Sequence, residues 1–479
     1  MICISNDKNR QIEYLPSYVL AMLPTDVLTV IFALLPLDAW RLVRLVCRQW
    51  NLAAQRQRRD KLLVYIEYDD QHIPSWSRHL ILHNINIKQI CQLDTTSLVH
   101  LFCKELPNVT SAYILSRLIQ KRVNISSLAL YLDCNESSNV LRMMVDHIPS
   151  SLRLLTLSYE YEGSEPGEGD DPIHQLIDNL SDEMEKLDLL YPMSNAAIPH
   201  LYRLQQLKEL ALHSQFLFSP DLSPLVNLTE LFLYCNIVDA AGLAGLNLTL
   251  LNLSVNRIDN IDRLGTMTTL ETLVLAQCVI GDNGAQFLQQ LVPAYRLTYL
   301  DLSDNQLGFD TLAIITQMSQ LVHLNLCRND LRGYTHGVIR PLINLQYLAI
   351  SETSIDSMAF YELDLPRALK LHYLDISFLS LVVQSLTKIT SITTLICNGH
   401  GHAWFPRSPS YILYASHLRL KRLITDYTLG IYKVLEGMPT LEILNDEVHG
   451  YWNILRWAAA MEEEKTGFTD LCLETLFTE

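Results

Sequence analysis

The sequence predicts an α/β fold: a solenoid curved like a horseshoe, with a parallel sheet on its concave side, preceded by a small three-helix domain. Three observations predict it. A nine-residue apolar pattern recurs through most of the chain from about residue 125 onward. The 479 residues exceed what one compact core accommodates, while 49% apolar and 18% charged residues mark an ordered, core-rich chain. Ahead of the pattern, the head of the chain has the apolar periodicity of short helices.

The pattern is Leu-x-x-Leu-x-Leu-x-x-Asn. Its clearest copies begin at Leu228, Leu248, Leu297 and Leu321 and end at Asn236, Asn256, Asn305 and Asn329. Another, from Leu270, ends in Cys278. Weaker copies begin at Ile125, Leu152, Met184, Leu207, Leu345, Leu371, Ile392, Leu420 and Leu441, so about fourteen units follow one another at intervals of about 20 to 32 residues. In a stretch such as Leu231-x-Leu233, strand alternation sends both leucines inward and the intervening side chain outward. One unit cannot bury its own apolar face, so stacking supplies the core. Each strand then needs a helical or irregular return segment, for example 282–291. The asparagine is placed to satisfy backbone polar groups where the chain turns inside the stack. The pattern resembles the leucine-rich-repeat family, and the solenoid is expected over residues 125–449. Residues 67–124 read as an irregular linker or degenerate repeats, and residues 450–479 as a C-terminal helical cap carrying Trp452, Leu455 and Trp457.

Residues 1–19 form a lead segment and residues 20–66 a helical domain. Pro24 suits the first turn of a helix and Asp26 favours its N-terminus, while Val27, Leu28, Ile31, Leu34 and Leu35 recur at helical spacing before Pro36 stops it. A second helix carries Leu42, Leu45, Val46 and Trp50 on one face and Arg41, Arg44 and Arg48 on another. Leu23-Pro24, Ile31-Phe32 and Val46-Cys47-Arg48-Gln49-Trp50 together resemble the F-box family. That resemblance implies a binding surface for a Skp-type adaptor, and through it for cullin and RING subunits of a ubiquitin ligase. The residues it assigns to the adaptor are Leu23, Pro24, Val27, Ile31, Leu35, Leu42, Val46 and Trp50. Residues 41–61 hold seven basic side chains against the single acid Asp60, which complements the acidic adaptors of that family. A plain helical cap over the open end of the solenoid is the alternative reading.

Alternation also assigns the concave face. One outward column reads Thr272, Tyr299, His323, Tyr347 and Tyr373, and the next reads Phe232, Asn252, Val274, Asp301, Asn325, Ala349 and Asp375. Phe232, Tyr299, Asp301, His323, Tyr347, Tyr373 and Asp375 are therefore the expected target-binding residues, suited to a protein segment that is partly apolar and partly basic. The competing reading has the tyrosines covering the leucine layer and nothing more. Two insertions interrupt the repeats. Residues 160–171 hold six acids in twelve residues and read as an exposed loop. Residues 398–410 either offer Trp404 and Phe405 to the target or fold them over the solenoid edge. His400-x-His402 has no third ligand at a fixed spacing, so no metal site is expected.

Other classes are disfavoured. A net charge of −16, from 36 Lys and Arg against 52 Asp and Glu, opposes nucleic acid and anionic membrane as partners. Pro24, Asp26 and Pro36 break the apolar stretch from Tyr14 to Trp40 well short of a membrane span. Ten scattered cysteines without a CxxC pair read as reduced thiols, which implies the cytoplasm or nucleus, or a host cytosol for a protein delivered by a pathogen. No phosphate-loop, nucleophile-elbow or zinc-protease motif occurs, so the expectation is a non-catalytic receptor subunit without a cofactor. The rival functions are a leucine-rich-repeat scaffold or inhibitor with no ubiquitin role, and a receptor whose target site is completed by a small molecule.

Overall fold

The computed structural model describes residues 63–66, 79–83 and 100–106, most of 125–398, and 419–424, 440–444 and 447–448; the longer stretches it leaves undescribed within 125–398 are 133–140, 160–171, 332–340 and 380–388. Two units divide the chain: Met1–Met193 with Pro199–Leu207, and Ser194–Ile198 with Lys208–Glu479.

In the first unit, strands β1 (Leu63–Ile66), β2 (His79–His83), β3 (His100–Leu106), β4 (Ser127–Leu132), β5 (Leu154–Tyr159) and β6 (Lys186–Leu190) pair in chain order, every pair parallel. The ladder thus begins well before the first copy of the sequence pattern at Ile125. Register places Leu128, Leu155 and Leu187 side by side, with Leu130, Leu157 and Leu189 as a second row, and all six are buried. Parallel neighbours cannot be joined by a tight hairpin, so a return segment follows each strand. One of them is helix α1 (Pro172–Asn179), which opens on proline and buries Ile173, Leu176 and Ile177.

The second unit repeats the scheme with shorter strands. They are β7 (Glu209–His213), β8 (Glu230–Tyr234), β10 (Leu250–Asn252), β12 (Thr272–Val274), β13 (Tyr299–Asp301), β14 (His323–Asn325), β15 (Tyr347–Ala349), β16 (Tyr373–Asp375), β17 (Thr394–Ile396), β18 (Arg422–Ile424) and β19 (Ile443–Leu444). All of these pair parallel in that order, and β20 (Glu447–Val448) adds an antiparallel partner to β19. Strands β9 (Ile237–Asp239) and β11 (Arg257–Asp259) form a separate parallel pair.

Leu210, Leu231, Leu251, Leu273, Leu300, Leu324, Leu348, Leu374, Leu395 and Leu423 fall in one register row, and all are buried. Each is the second apolar residue of a pattern copy. The first apolar residues, from Leu207 to Leu420, are buried as well. The expected leucine-rich-repeat solenoid architecture is therefore present. Its return segments include a 3-10 helix (Ile261–Thr266), α2 (Gly284–Leu291) and α3 (Asp310–Ile315); Phe287, Leu288, Leu312 and Ile315 point into the core. A side chain at Gly265 would meet the Gln290 carbonyl oxygen at 2.7 Å, so the 3-10 helix lies against α2 only with glycine there.

Below the strands runs a ladder of buried polar side chains. The Asn256 amide donates to the Leu233 and Leu253 carbonyls at 2.8 and 2.7 Å. The Asn329 amide donates to Leu302 and Leu326, both at 2.9 Å, while its carbonyl accepts the backbone N–H groups of Asn305 and Leu307. Cys278 takes the same position and donates its thiol to the Leu253 carbonyl at 3.1 Å; burial pushes that thiol up to about 12. Thr353 follows one repeat after Asn329, donating to the Ile350 carbonyl at 2.8 Å. Turning the chain so that these side chains point inward forces the preceding residue into the left-handed region: Val255, Gln277, Asp304, Arg328, Glu352 and Phe378 have φ between 53° and 63°.

Candidate target-binding face

Outward positions flank each central leucine of the second unit, and register stacks equivalent positions into columns across the sheet. In the first column, ring centroids stand 3.9 Å apart for Tyr299 and His323, 3.6 Å for His323 and Tyr347, and 3.9 Å for Tyr347 and Tyr373, with interplanar angles of 14°, 11° and 15°. Parallel backbones lie about 4.8 Å apart, so the rings converge above their strands and the sheet is concave on this side. Because the rings cover one another's faces, the stack presents ring edges and phenol oxygens.

The four stacked rings carry no charge near neutral pH. Burial lowers His323 to about 4, against the opposing pull of Asp301. Burial also raises the phenols of Tyr299, Tyr347 and Tyr373, with Asp301 adding to the rise at Tyr299. The Tyr347 and Tyr373 side chains hydrogen-bond to each other.

Beside the rings, the second column supplies carboxylates held in fixed orientations. Asp301 Oδ1 accepts from the Ser303 N–H at 2.9 Å and the Ser303 hydroxyl at 2.7 Å, and its Oδ2 accepts from the Asn325 amide at 2.9 Å. Asp375 Oδ1 accepts the Ser377 N–H at 3.0 Å. Asn252 and Asn325 make the same bond to the backbone two residues on. Next to Asn325, the Ser351 hydroxyl donates to Cys327 Sγ at 2.9 Å; burial raises Cys327 to about 11, which keeps it a thiol rather than a nucleophilic thiolate.

The structure brings Tyr299, His323, Tyr347 and Tyr373 into one stack, with Asp301 and Asp375 bordering it at β13 and β16. Phe232 does not join them, since β10 and β12 lie between its strand and β13. Trp404 and Phe405, and the adaptor-assigned Leu23, Pro24, Val27, Ile31, Leu35, Leu42, Val46 and Trp50, lie outside the described residues, as do the 160–171 insertion, most of the second insertion and the C-terminal cap. Two features escaped the sequence reading. His213 and Tyr234 stack at 4.3 Å, and the Tyr234 hydroxyl accepts from the Asn252 amide at 2.9 Å. Glu209 and Glu230 stand side by side in the first column. Carrying the alternation back to the copy that starts at Leu207, and one step further along each strand, would have located both. Among the described residues no three His, Cys, Asp or Glu side chains are grouped to hold a metal, and no helix is long and apolar enough to cross a membrane.

Residues 20–62 match the F-box domain family, and residues 296–318, which include Tyr299 and Asp301, match the Leucine Rich Repeat family. No curated protein matches the chain in sequence. Among solved structures, a leucine-rich-repeat protein of Leptospira interrogans is similar, with 19% identity, coverage of 81% of this chain and 97% of that one, and a TM-score of 0.46. An internalin of Listeria monocytogenes has 17% identity, covers 71% of this chain and 88% of its own, and gives a TM-score of 0.43.

Proposed function

We propose, from an F-box domain joined to leucine-rich repeats, that this chain is the substrate-recognition subunit of an SCF-type ubiquitin ligase. F-box domains generally bind Skp-type adaptors and leucine-rich repeats bind protein targets, and both are typically non-catalytic modules. The observation that carries the reading is the F-box match at 20–62 immediately ahead of the repeat ladder, whose second unit presents an ordered aromatic and acidic face. In this reading Leu23, Pro24, Val27, Ile31, Leu35, Leu42, Val46 and Trp50 dock the adaptor, which brings cullin and RING subunits. The repeats hold the target protein. The ubiquitin-transfer chemistry belongs to the conjugating enzyme on the cullin, and this chain contributes the local concentration of a target lysine. Its place of action is the cytoplasm or nucleus, including a host cytosol for a delivered protein.

Co-expression of the full chain with a Skp-type adaptor tests the proposal. The two co-purify at a fixed ratio, and Leu23→Ala with Pro24→Ala lowers recovery at least tenfold while the thermal transition of the repeats is unchanged. Equal recovery of adaptor by the double variant sinks the assignment.

A further inference from the structure

Beyond a generic target site, and resting on the receptor reading above, we propose that the face between β13 and β16 recognises an extended segment with two basic residues four apart and an apolar residue midway between them. Charge complementarity points to the basic pair. In the long parallel sheet of the second unit, leaving aside the separate β9–β11 pair, strand residues from Glu209 to Ile396 include Glu209, Glu230, Asp301 and Asp375 but no lysine or arginine, and Arg422 on β18 is the first cation met along that sheet. Neither Asp301 nor Asp375 has an ion-pair partner among the described residues. Their bonds to Ser303, Asn325 and Ser377 fix both carboxylates before any ligand arrives, so little ordering cost remains at binding.

Spacing is matched by an extended chain. Asp301 and Asp375 are three strand steps apart, about 14 Å at the backbone and about 11 Å where the rings converge. An extended chain advances about 3.3 to 3.4 Å per residue and returns to the same side every second residue, so side chains at i and i+4 stand about 13 Å apart on one side. Helical residues on one face recur at seven or eleven positions, about 10.5 or 16.5 Å, so a helix using this pair would carry its basic residues seven apart, a spacing that selection tells from four. Between the carboxylates, His323 and Tyr347 offer ring edges and a phenol, against which the residue at i+2 packs its apolar side chain. The long stems of lysine or arginine cover the outer rings, and the neutral phenol oxygens accept from their N–H groups. An acidic or phosphorylated segment would meet only like charge.

A phage-displayed library of nine randomised residues, panned on the purified full chain, tests this. Lysine or arginine is expected to be enriched at two positions four apart. Repeating the selection on Asp375→Asn, which keeps the Oδ1 acceptor for Ser377, should retain one basic position and lose the other. A fluorescent peptide of the enriched sequence should bind that variant about tenfold more weakly. Selection without basic enrichment, or an unchanged pair of basic positions on Asp375→Asn, overturns the inference. Adaptor binding is measured on the same preparations: adaptor bound without a basic motif overturns this inference alone, whereas the motif without adaptor binding overturns the receptor reading alone.

Discussion

Replacing Asn305 with alanine removes the middle of the buried ladder that supports the aromatic column. The residue has no exposed surface. Its amide donates to the carbonyls of Leu275 at 2.6 Å and Ser303 at 3.1 Å, and its carbonyl accepts the N–H groups of Cys278 at 2.8 Å and Ile280 at 3.4 Å. Alanine leaves the Cys278 N–H and the Leu275 carbonyl without these partners inside the core. Each such group costs about 1–3 kcal/mol, and the long Ile280 bond adds little, so the expected loss is about 3–4 kcal/mol. Cys278 is the internal control. It holds the equivalent position one repeat earlier with thiol bonds of 3.1 and 3.6 Å, so Cys278→Ala should cost only about 1 kcal/mol. Stability in a repeat array is local, so urea unfolding should be followed together with hydrogen exchange at the Cys278 and Ile280 amides. A loss below about 1 kcal/mol for Asn305→Ala, or unchanged protection at Cys278, refutes the ladder's stabilising role.

Three further outcomes follow from the same geometry. His323 is lowered from 6.5 to about 4, so the unfolded chain binds its proton first: stability from this residue is complete above pH 6.5, falls between 6.5 and about 4, and His323→Phe should flatten that part of the curve. Solvent screening of this half-buried ring keeps the effect on the order of 1 kcal/mol, readable as a shift in thermal midpoint with pH. Val255 is β-branched, 59% exposed and held at φ 63°, so Val255→Asn should stabilise by about 1 kcal/mol in a urea titration, whereas Val255→Ile should not. Tyr299→Ala combined with Tyr347→Ala should lower target capture while adaptor recovery stays at the wild-type level, and capture at the wild-type level removes the stack from the target site.

The column of rings was legible because one strand per repeat converts sequence equivalence into adjacency. Tyr299, His323, Tyr347 and Tyr373 each precede a central leucine, and register then makes them neighbours. The 3.6 Å approach of His323 to Tyr347 was not legible, since it depends on how tightly the strands curve and not on which residues they carry. The row of left-handed residues was equally hidden. Val255, Gln277, Asp304, Arg328, Glu352 and Phe378 share no side-chain type and include no glycine; the inward turn of the next residue imposes their conformation. Strands β2 and β3 lie where the sequence left either an irregular linker or degenerate repeats, and β1 lies at the end of the stretch expected to be helical; the copies are degenerate because Lys61 and Ser77 take the first apolar position ahead of β1 and β2. No compositional break marks the division of the chain near residues 194–207.

The placement of charge in the second unit separates the sheet from its rims. Arg328 pairs with Glu352 at 3.0 Å on the row of left-handed turns, Lys421 pairs with Glu442 at 3.3 Å ahead of β18 and β19, and Arg257 stands 3.6 Å from Asp259 on the outer strand β11. These three cations off the concave strands thus meet acids close by, while Asp301 and Asp375 have no ion-pair partner among the described residues beside the aromatic stack. Exposed pairs of this kind contribute at most about 1 kcal/mol, so stability does not account for the contrast. Two carboxylates held by Ser303, Asn325 and Ser377 with no ion-pair partner among the described residues are the feature on which the proposed basic segment rests.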